Sequence, residues 1–283
     1  MHGGEIAEAV RLLPLRTGPW LQFLRNRGAY RYVGEDELRA RRRSETVFVF
    51  GSGASLNDVD EETWAHIAAH DTVGFNWWVH QRFVRTDYHV IRGIADSDRD
   101  AAVWRPQLEE YFRLIAENPL FDETVFLVHG GFRAITGNRV LGRRYLPPGR
   151  PVFRWRSSVT VGPPTRSFAA GLVHGQSTIQ EAVNFAFLVG WRRIVLAGVD
   201  LYDRRYFWLA PDETRSIDRR RGATAADPHV QATMGLVETL ASWRAWLARE
   251  GVELEVLNPR SLLAGRLPVY APQASPLDSP ADR

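Results

Sequence analysis

Residues 46–60 read TVFVFGSGASLNDVD, and this stretch decides the fold class. A five-residue run of β-branched and aromatic residues leads into two closely spaced glycines, Gly51 and Gly53, and a helix is predicted to start with Ser55 as its N-cap. A strand that turns through a glycine corner into a helix is typical of a βα unit, and such corners commonly hold a phosphate. The stretch therefore predicts a parallel sheet with a ligand site at residues 51–56.

The chain beyond this corner keeps alternating short apolar runs with helical patterns, which indicates an α/β fold with a parallel sheet flanked by helices. Its length of 283 residues is enough for one large domain of this class. The predicted strands are residues 46–50, 71–75, 86–91, 124–128, 193–198 and 252–257. The predicted helices are residues 57–69, 101–117, 177–190 and 230–250.

Four regions are predicted along the chain. Residues 1–45 form a basic helical arm that packs on the domain, with contact to anionic lipid headgroups as the alternative. Residues 46–265 form the ligand-binding domain, and within it the arginine-rich segment of about residues 203–228 lacks periodicity and is predicted to be a lid. Residues 266–283 are rich in Pro, Ser and Asp, which predicts a flexible tail.

Two residue types are absent, and their absence excludes whole classes of chemistry. All 36 basic residues are arginine, so the chain has no Schiff-base, P-loop or kinase lysine. It has no cysteine, so disulfides, thiolate metal sites and thiol nucleophiles are excluded. Nothing resembles a signal peptide or a membrane span, and we expect a cytoplasmic protein.

The sequence GSGASL at residues 51–56 is close to a dinucleotide fingerprint but differs at two decisive points. Leu56 stands where the third glycine is needed, and the second strand ends in Asn76 rather than in an acidic residue that would hold a ribose. NAD binding is therefore disfavoured. An uncharged amide suits a phosphate or a sugar hydroxyl, so Asn76 is a candidate for contact with either.

A second ligand-binding corner is predicted at IVLAGVDLYDRRYF, residues 194–207. Gly198 and Asp200 follow a buried strand at its carboxyl end, where α/β proteins bind ligands. Tyr202 and Tyr206 come directly after, and their phenols can donate hydrogen bonds to a phosphate. Considered individually, Asp200 could instead cap a helix, and the two tyrosines could simply pack on the surface.

Two predicted helix starts carry side chains that could bind a ligand or act in catalysis. Ser177 and Thr178 open a predicted helix whose N-terminal amides can bind a carboxylate or a phosphate, although Ser177 could also be only a cap. His229 lies at the end of the predicted lid, where it can titrate near neutrality and act as a general base. His174 is a weaker competitor for that role.

Metal and nucleic-acid binding are the less favoured interpretations of two charged motifs. Asp96 and Asp98 form a DxD pattern that could bind a metal, but short acidic spacings are common and aspartates cap helices well. The arginines at 219–221 could bind nucleic acid, yet a net charge of only +3 favours a small anionic or lipid-linked substrate.

Taken in order, these motifs resemble the bacterial lipo-oligosaccharide sialyltransferases of glycosyltransferase family 42. The family has a strand followed by G-N-G-P-S-L, a second strand ending in Asn, an S/T pair opening a helix, G-I-D-F-Y with a further Tyr, a lid, a His and N-S-L-L. The matching segments here are GSGASL (51–56), Asn76, Ser177–Thr178, GVDLY (198–202), Tyr206, His229 and NPRSLL (258–263). Ser52 and Ala54 differ from the family pattern, as does the four-residue spacing of the tyrosines.

The resemblance implies a Rossmann-like, GT-A-like fold and an inverting, metal-independent transfer of sialic acid from CMP-sialic acid to a glycan hydroxyl. It implies no cofactor, a glycan or lipid-linked saccharide acceptor, a homo-oligomer and a location at the inner face of the cell membrane. The implied base is His229, the implied phosphate ligands are Tyr202 and Tyr206, and the implied sugar-carboxylate ligands are Ser177 and Thr178. The remaining implied substrate residues are Gly51, Ser52, Gly53, Ser55, Asn76, Arg92, Gly198, Asp200 and Ser261.

Two other functions remain open from the residues. One is a pterin diphosphokinase-like enzyme, which would need ATP and Mg²⁺ and would use Asp96 and Asp98 as metal ligands. The other is a non-catalytic nucleotide-binding protein. Within the favoured function, the departures from the family pattern leave the donor sugar open between sialic acid, Kdo and another nonulosonate.

Overall fold

The computed structural model describes residues 16–92, 101–158, 162–220 and 222–272. Its described strands form one eight-stranded, wholly parallel sheet with the order β1-β6-β5-β4-β3-β2-β7-β8. The predicted α/β fold with a parallel sheet is confirmed. The strands are β1 (Arg31–Tyr32), β2 (Thr46–Phe50), β3 (Asp71–Phe75), β4 (Tyr88–Ile91), β5 (Val125–His129), β6 (Pro151–Trp155), β7 (Arg193–Ala197) and β8 (Glu253–Val256).

The sheet reverses its direction of growth between β2 and β7. From β2 the chain adds β3, β4, β5 and β6 on one side, and it then returns to place β7 and β8 on the other side of β2. All five residues of β2 and of β7 are buried, which is why both read as continuous apolar runs. The carboxyl ends of β2 and β7 flank this switch point, which is where open α/β sheets bind ligands.

Helices cover both faces of the sheet, and each face has its own apolar core. One core packs around Leu38, Phe185, Trp191 and Trp243, and the other around Phe48, Trp78, Tyr111 and Phe126. The helices are α1 (residues 16–26), α2 (Glu35–Ala40), α3 (Glu61–Ala68), α4 (Ala101–Glu117), α5 (Ile135–Gly142), α6 (Thr178–Val189), α7 (Ser216–Arg220), α8 (Val230–Thr233) and α9 (Leu236–Arg249).

Two helices differ from their predicted bounds, one because of a glycine and the other because of a competing hydrogen bond. The helix expected at 230–250 is divided into α8 and α9, because Gly235 lies between them in the left-handed region with φ of +82°. The helix expected to start at Ser55 starts at Glu61 instead, and Asp60 caps it by accepting from Thr63 N. Residues Ala54–Asp58 form only a short 3₁₀ turn, since the Ser55 hydroxyl is bonded elsewhere.

The ordered domain extends beyond both limits expected from the sequence. β1, from the expected arm 1–45, pairs with β6 at the edge of the sheet, so this arm contributes a strand as well as helices. At the other end, Val256 exchanges backbone hydrogen bonds with Pro268 and Tyr270, and Tyr270 is buried. Residues 268–270, which fall within the expected tail, are therefore hydrogen-bonded to the end of β8.

The expected lid, residues 203–228, is folded by its own hydrogen bonds and ion pairs. Asp218 is buried in its centre, paired with Arg204 at 3.4 Å and with Arg215 at 3.1 Å. The start of the segment is joined to the β2 corner, because Phe207 N donates to Ser52 O at 3.3 Å. Residues 203–215 thereby form one wall of the switch-point crevice.

No helix in the described part of the chain is long and apolar enough to cross a membrane.

Candidate ligand-binding site

A cavity of about 190 Å³ lies at the switch point, between the corner after β2 and the corner after β7. Nine of the fourteen residues that the sequence singles out as site residues line it, although they come from five separate segments of the chain. These nine are Gly51, Ser52, Gly53, Asn76, Ser177, Gly198, Asp200, Tyr206 and His229.

The two glycines of the first corner are required by the second corner. A Cβ on Gly51 would lie 2.4 Å from Gly198 O, and a Cβ on Gly53 would lie 2.2 Å from the Asp200 carboxylate. The backbones are this close because Gly51 N donates to Ala197 O and Gly53 N donates to Gly198 O, both at 2.8 Å. The glycines therefore let the two corners join, rather than leaving open room for a nucleoside.

Asp200 holds the cavity floor together. Its carboxylate is buried and accepts hydrogen bonds from Ser55 N at 3.0 Å, from Ser55 Oγ at 2.5 Å and from Asn258 Nδ2 at 2.9 Å. One side chain thus ties the β7 corner to the β2 corner and to the segment after β8. Ser55 is consequently not a helix cap, and it faces a neighbouring cavity instead.

Asn76 is held in an unusual backbone conformation at the cavity wall. Its φ is +49°, which a residue other than glycine adopts at an energetic cost, and such residues concentrate at functional sites. Its Nδ2 donates to Thr178 Oγ1 at 3.3 Å, while no described residue donates to its buried Oδ1. An unused acceptor at this position matches a ligand hydroxyl better than a phosphate oxygen, which has no proton to give.

The start of α6 lies at the cavity, where its N-terminus can attract an anion. Ser177 is the N-cap residue, but its side chain makes no capping bond, so the hydroxyl and the first backbone N–H groups of this twelve-residue helix face the same region. The N-terminus of a helix favours negative charge. Thr178 is turned away from the cavity lining and positions Asn76 instead.

Tyr206 brings a neutral phenol from the lid segment to the cavity. Burial raises its pKa to about 12, so the hydroxyl keeps its proton at neutral pH. It donates to Asp218 Oδ2 at 3.5 Å, and the Arg215 guanidinium lies 5.0 Å from the centre of its ring. A cation and a hydroxyl donor are therefore adjacent at this wall, an arrangement that can stabilise developing negative charge.

His229 also lines the cavity, as the N-cap of α8. Its Nδ1 accepts a hydrogen bond from Gln231 N at 3.2 Å, so the neutral ring carries its proton on Nε2. Desolvation by burial lowers the pKa of His229 to about 4, with Arg215 lowering it further and Asp218 opposing the change. The ring is therefore uncharged at neutral pH.

Four other predicted site residues lie outside this cavity, in addition to Ser55. Thr178 supports Asn76, and Ser261 Oγ donates to Val199 O at 2.6 Å beneath the floor. Tyr202 is half-buried, and the nearby Asp200 charge adds to desolvation in raising its pKa. Arg92 pairs with the fully buried Glu181 at 2.6 Å, and His174 lies 3.1 Å from the same carboxylate, so both form a separate cluster behind α6.

Sequence reasoning missed several side chains that line the cavity. Trp77 directly follows Asn76, and Asp203, Arg205 and Arg215 come from the lid segment. The ion pair between Arg205 and Asp203, at 2.5 Å, lies beside the tyrosine motif. Trp77 could have been found from the sequence, because it directly follows Asn76. The three lid residues could not, because the lid has no periodicity that would indicate which side chains face the cavity.

Within the described residues, no group of three or more His, Asp or Glu side chains is placed to hold a metal ion. Asp96 and Asp98, the residues of the DxD motif, lie outside the described residues.

Acid is expected to destabilise the fold through four histidines, of which His89 is buried and the other three are half-buried. Desolvation is the main cause that lowers the pKa of His89 to about 3 and those of His80, His129 and His229 to about 4. At pH values between these native-state pKa values and the ordinary histidine pKa near 6.5, the four histidines are protonated in the unfolded chain but not in the native state. The free energy of unfolding therefore falls as the pH falls through this window, by about 1.4 kcal/mol per pH unit for each such proton.

This loss of stability is measured as the urea midpoint at a series of pH values from neutral to pH 4. The variant His89→Gln removes one of the four groups and should flatten the dependence by about one proton. A midpoint that stays constant across the window in the wild-type protein would contradict the assignment.

Comparisons with known proteins give structural neighbours at low identity. The monofunctional α-2,3-sialyltransferase Cst-I from Campylobacter jejuni aligns with a TM-score of 0.45 and 12% identity over 81% of each chain. The sialyltransferase CstII from the same species, in complex with CMP-3FNeuAc, gives 0.46 and 12% over 81% of this chain and 88% of that one. The MAf glycosyltransferase from Magnetospirillum magneticum gives 0.49 and 13% over 87% of this chain and 40% of that one.

No family model matches the sequence, and no curated protein matches it either.

Proposed function

We propose that this protein is a glycosyltransferase that moves sialic acid, Kdo or a related nonulosonate from its CMP-sugar to a hydroxyl of a glycan or lipid-linked saccharide. The transfer inverts the anomeric configuration and uses neither a metal nor another cofactor. The observation that carries the proposal is the convergence, in one switch-point cavity, of Ser52–Gly53, Asn76, Ser177, Tyr206 and His229.

The cavity offers complementary partners to the two charged parts of such a donor. The start of α6 with the Ser177 hydroxyl suits the carboxylate of a nonulosonate. The Tyr206 hydroxyl and the Arg215 guanidinium suit the phosphate of the leaving CMP, whose negative charge grows as the glycosidic bond breaks. Both groups donate to Asp218 here, at 3.5 and 3.1 Å, so the Tyr206 hydroxyl has to exchange that partner for the phosphate. Asn76 Oδ1 can accept from a hydroxyl of the donor sugar.

Of the two tyrosines that the resemblance assigns to the phosphate, we assign only Tyr206 to it. Tyr206 lines the cavity, whereas Tyr202 does not. Similarly, Arg92 is engaged by Glu181 and Ser157, so we assign it a structural role behind α6 rather than phosphate binding.

The proposed reaction is a single displacement. The acceptor oxygen forms a bond to the anomeric carbon while the bond from that carbon to the phosphate oxygen breaks, and CMP leaves with the bonding electron pair. His229 takes the acceptor proton through Nε2. This requires the ring proton to be on Nδ1, so the bond from Gln231 N is given up during the reaction at a cost of about 1 kcal/mol.

A thermal-shift experiment with CMP, CDP, CTP and ATP, each with and without Mg²⁺, tests the proposal. We expect CMP to raise Tm without metal, because a ligand at one hundred times its Kd stabilises the native state by about 2.7 kcal/mol. Stabilisation by ATP only with Mg²⁺ would overturn the proposal in favour of a diphosphokinase. CMP binding without release of CMP from CMP-Neu5Ac or CMP-Kdo, in the presence of glycan acceptors, would indicate a non-catalytic nucleotide-binding protein.

A further inference from the structure

A second cavity adjoins the first and is lined by aromatic rings on one side and polar side chains on the other. It encloses about 320 Å³, and it shares Trp77 and Arg215 with the switch-point cavity. We propose that it is the binding site for the saccharide acceptor. This inference rests on the proposed function for its role in transfer, but its recognition of sugar is argued from the cavity itself.

The aromatic side is held rigid by ring contacts. The rings of Trp208 and His80 are parallel within 2° with centroids 4.5 Å apart, and Trp77 lies edge-on to Tyr111 at 5.6 Å. Trp77 and Trp208 are themselves 6.5 Å apart and tilted by 32°. Both tryptophans are half-buried and line the cavity. Rings that are already fixed lose little conformational entropy when a ligand binds, and their faces suit the flat C–H face of a pyranose.

The opposite side supplies hydrogen-bonding groups of both kinds. Gln107 and Glu110 come from α4, while Glu213, Ser216 and Arg219 come from the lid segment and α7. Carboxylates accept from hydroxyls, and guanidinium and amide groups donate to them. Because groups of both charges line this wall, the hydroxyls of an uncharged sugar can find both donors and acceptors here.

Size and position also favour an acceptor sugar. The second cavity, at about 320 Å³, falls within the range of roughly 300–1,000 Å³ that is usual for small-molecule pockets. A donor and an acceptor must also meet, and the wall that the two cavities share carries Arg215, which contacts the Tyr206 ring. An acceptor stacked on Trp208 would therefore extend toward the donor across Trp77.

The second cavity is built jointly by the fixed domain and the lid segment. Gln107 Nε2 donates to Ser216 Oγ at 3.5 Å, which joins α4 to α7 in the lining of this cavity. The acceptor site is consequently complete only while residues 203–220 lie in the position seen here. This links acceptor binding to the same segment that brings Tyr206 to the first cavity.

Fluorine NMR of 5-fluorotryptophan-labelled full-length protein tests the inference directly. The probes are the methyl glycosides of galactose, N-acetylglucosamine and a heptose at millimolar concentration, with the resonances assigned through Trp77→Phe and Trp208→Phe. We expect at least one glycoside to shift the Trp77 and Trp208 resonances and to leave that of Trp246, which packs on Phe187 at the far side of the fold, unchanged.

Kinetic variants provide the second test. Trp208→Ala should raise the acceptor KM about tenfold through loss of the stacking surface, while CMP still raises Tm. Glu110→Ala, at an exposed position on α4, should raise the acceptor KM a few-fold without disturbing the lid. Trp246→Ala is the matched control and should transfer as the wild type does.

The outcomes separate this inference from the proposed function. If CMP binds but no glycoside shifts either resonance, or if Trp208→Ala and Glu110→Ala keep the wild-type acceptor KM, the acceptor site is wrong and the donor site stands. If the glycosides shift both resonances but CMP has no effect on Tm, the sugar site stands and the CMP-dependent function is wrong.

Discussion

Replacing Asp200 with alanine is expected to lower the free energy of unfolding by about 3 kcal/mol or more and to abolish stabilisation by CMP. The carboxylate is the common acceptor for Ser55 N, Ser55 Oγ and Asn258 Nδ2, and all four groups are in buried residues. Hydrogen bonds to a charged acceptor are worth about 1.5–3 kcal/mol each, and truncation leaves the donors buried without a partner. The corner that carries Ser52 and Gly53 would then lose its fixed position.

The measurement is the urea midpoint at constant m value, together with the CMP thermal shift. Asp58→Ala is the matched control, because Asp58 is exposed and its ion pair with Arg260 is of the solvent-exposed kind that contributes at most about 1 kcal/mol. Asp200→Asn should lie between the two, since an amide oxygen can still accept from Ser55 N. Equal midpoints for Asp200→Ala and Asp58→Ala would show that the carboxylate does not hold the corners together.

The central strands could be predicted from the sequence because their signal is local. β2 and β7 are largely apolar runs with β-branched residues, and burial on both faces of a parallel sheet preserves such runs. β3 has fewer apolar residues, but its Thr72 and Val73 are β-branched and it ends in Phe75. β1 and β6 were not predicted, because they lack such a local signal. β1 has only two exposed residues, and β6 begins at Pro151 and contains Arg154, so neither shows a pattern that differs from a loop.

The position of the site could be predicted, but the roles of its residues could not. Strand ends and glycine corners mark where ligands bind, which is why nine predicted residues line one cavity. Which way a side chain is directed depends on partners far away in the sequence. Ser55 bonds to Asp200 and Arg92 bonds to Glu181, pairs that are separated by 145 and 89 residues.

The expected lid, which contains the short helix α7, illustrates the same limit. It was predicted to be a lid because it lacks periodicity, and in the structure Arg204, Arg215 and Tyr206 surround the buried carboxylate of Asp218. This network fixes the inward face of the segment, and with it the cavity positions of Tyr206 and Arg215. Nothing in the spacing of the arginines indicates which of them pair inward.

Replacing His229 is expected to give the largest loss of activity, since general base catalysis typically contributes about 10²–10⁴-fold. The residue has a second role that must be separated from catalysis, because its Nδ1 caps α8 through Gln231 N. His229→Asn separates the two roles: an asparagine oxygen also accepts at an N-cap, but an amide cannot serve as a base. His229→Ala removes both functions.

We therefore expect His229→Asn and His229→Ala both to lose about 10²–10⁴-fold in the rate of transfer, with CMP still raising the Tm of His229→Asn. Because the pKa of His229 is lowered to about 4, the unprotonated base is present throughout the neutral range. Activity of the wild-type protein should accordingly fall only as the pH approaches 4, and not near the ordinary histidine value of about 6.5. Initial rates of CMP release with acceptor, measured across this range, provide the test. Wild-type rates in His229→Asn together with low rates in His229→Ala would reduce the histidine to a helix cap, and the base would then have to be another group of the cavity.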